Sequence, residues 1–65
     1  MNEYYVLTSK LYLDEIILSI INGQRKEALR MLEESKYVLT SELYAELINR
    51  NMAHEIVVLE KIKER

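Results

Sequence analysis

The chain has one glycine, Gly23, and no proline, so the two residue types that most strongly interrupt a helix are almost absent. Wherever apolar residues recur at three-and-four spacing the backbone is free to run as helix, and an all-α fold is expected. Gly23 is the one strong stop signal. The Asn22-Gly23 pair predicts a helix end, because glycine takes the left-handed conformation after the last turn at little cost.

A repeated phrase divides the chain. Tyr5-Val6-Leu7-Thr8-Ser9-Lys10-Leu11-Tyr12 returns thirty-two positions later as Tyr37-Val38-Leu39-Thr40-Ser41-Glu42-Leu43-Tyr44, with only Lys10/Glu42 differing. Each copy reads as the start of a helix. Thr8 and Thr40 stand where an N-cap hydroxyl would accept from backbone N–H groups that lack a helical partner. Leu7 with Tyr12, and Leu39 with Tyr44, have the spacing of a hydrophobic staple. Residues 1–7, which include Tyr4, Tyr5, Val6 and Leu7, read as an extended lead-in.

Three helices are expected in one domain spanning 1–65. The first, 9–22, carries a broad apolar stripe of Tyr12, Leu13, Ile16, Ile17, Ile20 and Ile21. Leu11 and Leu18 fall on its opposite side among Asp14, Glu15 and Asn22, so this helix is apolar in two directions. The second, 25–35, has a narrower strip of Ala28, Leu29, Met31 and Leu32, leaving Arg25, Lys26, Arg30, Glu33 and Glu34 to solvent. Together these two make a hairpin. The third, 41–63, keeps Tyr44, Ala45, Ile48, Met52, Ile56, Leu59 and Ile62 on one face, and Lys61, Lys63 and Arg65 suit the negative end of its dipole. Asn51 and Glu55 interrupt that stripe, and the alternative is a break near Asn49-Arg50-Asn51 that would give two hairpins.

Size then bears on partners. A chain of 65 residues buries only about 60% of the surface it exposes when unfolded, and without cysteine it has no disulfide or thiolate metal site to support a thin core. Its composition is nonetheless 49% apolar, more than such a core can absorb. The surplus predicts a homodimeric helical bundle with Leu11 and Leu18 at the interface. No apolar run approaches the ~20 residues of a bilayer span, and the N-terminus lacks the basic start of a signal peptide. A cytoplasmic protein with no membrane partner is expected.

Few residues suggest chemistry. Glu15 to Leu32 can be read as a helix-turn-helix, with Ser19 as the small residue, Gly23 at the turn, and a second helix offering Gln24, Arg25, Lys26 and Arg30 to DNA. Against it stand Glu27, Glu33 and Glu34 and a net charge of −2, which favour a plain hairpin. The carboxylate pairs Asp14-Glu15, Glu33-Glu34 and Glu60 with Glu64 would need an enclosing pocket to separate their pKa values, for which a thin three-helix body has little room, and they read as solvated faces. His54 beside Glu55 lacks the second histidine of a zinc site. The five tyrosines cluster in or beside the repeated phrase with Val, Leu and Thr as neighbours, a setting for packing rather than for base stacking.

Over roughly residues 9–35, the succession of a helix, Gly23 and then Ala28-Leu29 resembles the hairpin of a tetratricopeptide unit, which would imply a stacked array. The thirty-two-residue period, the missing aromatic and proline signals, and the need for about three units leave a duplicated hairpin or reused helix-start chemistry as competing explanations. As a class, such chains resemble small accessory proteins of bacteriophages or mobile elements, although no residue motif carries the likeness. The expected role is a non-enzymatic protein-protein interaction or regulatory module acting as a homo-oligomer, without cofactor or metal. The alternative is a small DNA-binding regulator.

Overall fold

The computed structural model describes residues 3–64, with side chains from 10 to 64. Its elements are four helices: α1 (Glu3–Ile21), α2 (Arg25–Glu34), α3 (Thr40–Asn49) and α4 (His54–Lys63). α1 packs on α2 and α3, and α4 packs on the same two. The fold is thus two consecutive helix pairs, α1–α2 and α3–α4, set against each other.

Each of the first three helices ends in the same way. At Gly23, φ is +78°, the Gly23 N–H donates to the Ile20 carbonyl at 3.0 Å, and the Gln24 N–H reaches back to that of Ser19 at 2.8 Å. These crossed bonds define a Schellman stop, which satisfies carbonyls that the helix leaves open. The Gly23 stop read from the sequence is therefore present. At the end of α2, Lys36 takes the glycine position with φ +56°; its N–H donates to Glu33 and that of Tyr37 to Leu32, both at 2.9 Å. At the end of α3, Asn51 does so with φ +61°, its N–H donating to Ile48 at 3.0 Å and that of Met52 to Leu47 at 2.7 Å.

The Asn51 stop corrects the expected third helix. No continuous helix spans 41–63: α3 ends at Asn49 and α4 begins at His54, which is the two-pair alternative. The cause is partly local, since asparagine tolerates the left-handed region better than most residues. It is also tertiary, because the stop places Met52 back against the core that holds Leu47, the apolar contact that usually accompanies this motif.

The start of α1 is a second correction. Residues 3–7 are helical rather than an extended lead-in, and the first two residues of that lead-in lie outside the described range. Nothing between Glu3 and Thr8 stops a helix, and Thr8 sits within one instead of capping it. The two copies of the phrase therefore differ: 5–12 is helix throughout, whereas 37–39 form a turn and only Thr40–Tyr44 are helical.

Thr40 is not a cap either. Leu39 occupies the cap position of α3 without a side-chain cap bond, its carbonyl accepting from the Leu43 N–H at 2.8 Å. Leu39 and Leu43 are both buried at this helix start, and Tyr44 packs against the same core. The Thr40 hydroxyl is buried with no hydrogen-bond partner, an arrangement that costs about 1–3 kcal/mol of desolvation. Thr40→Val keeps the shape and removes the orphan, so its melting temperature should equal or exceed that of the parent. A fall of several degrees in calorimetry would show that the hydroxyl is bonded.

The core draws on every helix: Ile16, Ile17 and Ile20 from α1, Ala28 and Leu32 from α2, Leu39, Leu43 and Leu47 along α3 and its cap, and Leu59 from α4. Tyr12, Leu13, Leu29, Met31, Tyr44, Met52 and Ile56 pack against it. In α3 the buried face is rotated from the expected one. Leu43 and Leu47 are fully enclosed, while Ala45 and Ile48 are exposed.

Candidate functional site

The outer side of α1 carries three aliphatic side chains in solvent. Leu11 is 57%, Leu18 50% and Ile21 53% exposed. They are spaced by seven and three residues, which places them on one line along the helix. Ile16, Ile17 and Ile20 fill the other side, so the two apolar directions expected for this helix are both present. Ile21 was expected in the inner stripe and belongs to the outer line. Asp14, also exposed, is the polar member of that line. In the sequence, Tyr4 and Leu7 precede Leu11 by seven and four positions.

The residues considered for DNA gather where α2 begins. They border an open depression lined by Glu15, Ser19, Gly23, Gln24, Arg25, Lys26, Glu27 and Arg30 among others. Gln24 and Lys26 are exposed. Arg25 is not free: its Nε and Nη2 donate to the Glu55 carboxylate at 2.7 and 2.9 Å, a two-pronged bond between α2 and α4. Arg30 bridges Glu27 and Glu34 on its own helix. These contacts raise both guanidinium pKa values and hold the Glu27 carboxyl below the usual carboxylate range. Two of the three cations are thus neutralised locally, and Glu15 and Glu27 share the depression.

Glu55 is the buried charge of the fold among the described residues, 4% exposed. The Arg25 hydrogen bonds are the largest cause of its lowered pKa, opposed by burial and assisted by Arg25 and His54 charge. His54 lies 3.4 Å from the same carboxylate but points mostly to water. Glu55 interrupts the apolar stripe in the sequence, and an interrupting carboxylate must find a cation. That was the available signal. Nothing local identified Arg25 as the partner, thirty positions away.

The tyrosines with described contacts act as ties. The Tyr12 hydroxyl donates to the Met31 carbonyl at 3.0 Å and contacts Glu34 at 3.2 Å, and that of Tyr44 donates to Glu60 across α3 and α4. Burial, then the carboxylate bond, pushes the Tyr44 phenol up to about 12, and the same causes raise Tyr12. Both stay neutral donors at pH 7. Lys63 covers the Tyr37 ring with its ammonium 4.8 Å from the ring centre. Of the other carboxylates singled out, Asp14, Glu15, Glu33, Glu34 and Glu64 are exposed.

Among the described residues, no helix is long and apolar enough to cross a membrane. Comparison with protein-family models, curated proteins and solved structures gave no match.

Proposed function

We propose that the protein is a non-enzymatic interaction module that works as a homo-oligomer, with the outer line of α1 as the centre of its self-association surface. The observation that carries this reading is the exposure of Leu11, Leu18 and Ile21 on a helix whose inner side already fills the core. A two-fold axis is the economical way to cover such a line, because the same patch faces itself and each contact counts twice. Three side chains form the middle of an interface, since stable ones bury about 800 Å² per partner. The cysteine-free composition suits a reducing compartment, and we place the module in the cytoplasm. The DNA-binding reading draws less support, because Arg25 and Arg30 are held by carboxylates.

Burying one leucine contributes about 1.5–3 kcal/mol. Doubled across the axis, its replacement by a carboxylate should weaken association by about a hundredfold or more. In protein folded under dilute conditions and never refolded at high concentration, sedimentation equilibrium is therefore expected to show a dimeric parent, a monomeric Leu18→Glu variant, and a Glu33→Lys variant that associates like the parent. Added salt should leave this association nearly unchanged, whereas binding to phosphates would fall steeply. A parent that stays monomeric at tens of micromolar, or a Leu18→Glu protein that stays dimeric, would exclude this face.

A further inference from the structure

We propose that the connection between α2 and α3 is a hinge through which two copies of this chain exchange helix pairs. In the exchanged form Ser35-Lys36-Tyr37-Val38-Leu39 straightens, α2 and α3 run as one helix, and the α1–α2 pair of each copy packs on the α3–α4 pair of the other. This goes beyond self-association through the outer line of α1 and does not require it.

The turn itself is the first observation. Lys36 and Tyr37 both have positive φ, at +56° and +62°, and two successive side-chain-bearing residues in the left-handed region are disfavoured. The second observation is the same local sequence in another state: Tyr-Val-Leu-Thr-Ser, which at 37–41 forms the last three residues of the turn and the first two of α3, runs as uninterrupted helix at 5–9 inside α1. No glycine or proline lies between Arg25 and Asn49. The segment is therefore a helix former held in a strained turn by the packing around it.

The third observation is register. The buried residues of α2 and α3 and its cap are Ala28, Leu32, Leu39, Leu43 and Leu47, separated by four, seven, four and four positions. Those are the intervals that keep residues on one side of an α-helix. A continuous helix over 25–49, about 37 Å long, would still present all five as one stripe. Its backbone would exchange the crossed bonds of Lys36 and Tyr37 for regular ones.

The fourth concerns what exchange preserves. The contacts of α1 with α3 and of α2 with α4, including the Arg25–Glu55 pair, join one helix pair to the other. All of them can form between two chains as well as within one. Only the turn differs, and a strained connection between otherwise intact halves is the condition under which swapping arises. Because exchange is bimolecular, high protein concentration favours it and dilution favours the closed monomer.

Charge reversal separates the two forms. Arg25→Glu and Glu55→Arg each place like charges together in a closed monomer or in an exchange with a copy of itself. Exchange between one chain of each kind restores opposite charges at both junctions. The two variants, refolded together at high concentration, are expected to melt well above either alone and to sediment as a dimer with one chain of each kind. Rescue should persist when both chains also carry Leu18→Glu, which removes association through α1 and so tests exchange apart from that surface. A mixture that melts as the sum of its parts, while the double reversal within one chain restores stability, would overturn the proposal. Should that single-chain control fail, the hinge decides: Lys36→Gly with Tyr37→Gly relaxes the turn and penalises the straight helix, and should lower the refolded dimer fraction at least tenfold in the Leu18→Glu background. An unchanged fraction would overturn the exchange.

Discussion

Arg25→Met is expected to bring the chain close to unfolding at room temperature, because it strands Glu55. A buried ion deprived of its partner costs about 3–5 kcal/mol, and a cysteine-free domain of this size has about 5 kcal/mol in total. The reverse truncation should be milder. Glu55→Gln leaves behind Arg25, whose side chain is 38% exposed and can be hydrated where it stands. Acid distinguishes the variants further. Arg25 holds the Glu55 carboxyl below the usual carboxylate range, so the pair's contribution is fully present at neutral pH and is lost as pH falls through that lowered value. The parent should therefore weaken on acidification below about pH 4, and Glu55→Gln should flatten that part of its profile. In Arg25→Met the sign turns: burial without the guanidinium favours the neutral acid, and stability should rise between pH 7 and pH 5. Urea titration at both pH values measures this. An Arg25→Met protein with the parent's midpoint at pH 7 would mean that water already reaches the carboxylate.

The all-helical class, the Gly23 stop and the presence of two apolar sides on α1 could be read directly, because each depends on chemistry that few residues supply. Glycine is chemically distinct at positive φ, and apolar residues at three-and-four spacing mark a buried stripe; the edge of that stripe was less legible, because Ile21, four positions after the buried Ile17, lies in solvent instead. The other two stops were less legible. Lys36 carries no local signal for a left-handed turn, and Asn51 carries a modest one; both conformations are held by where Leu32, Leu47 and Met52 must lie. The repeated phrase shows the same limit from the other side. Its two copies differ at one position yet adopt different backbones, since cap and staple patterns report what a segment can do and packing selects among the options. The Arg25–Glu55 clamp was hidden for a similar reason. An arginine at a helix start reads as solvated until the element that approaches it is known.

Adjacent residues in α3 offer the clearest test of which face packing selected. A helix running unbroken over 41–63 would turn Ile48 inward with Met52, Ile56 and Leu59, whereas the observed α3 encloses Leu47 and leaves Ile48 59% exposed. Leu47→Ala removes buried methyl groups and leaves a cavity where Met52 and the core meet, at a cost of about 2–5 kcal/mol. It also removes one side of the apolar contact that supports the Asn51 stop, which favours the upper part of that range. Ile48→Ala takes its atoms from solvent and should change stability by no more than about 0.5 kcal/mol. The two variants differ by one position and by about 100° around the helix axis, so their ratio reports the rotation of α3 directly. Thermal unfolding of both at equal concentration, in the Leu18→Glu background to remove self-association through α1, should show a loss of ten degrees or more for Leu47→Ala and almost none for Ile48→Ala. Reversed sensitivities would mean that the helix continues through Asn51, and with it the division into two pairs would fall.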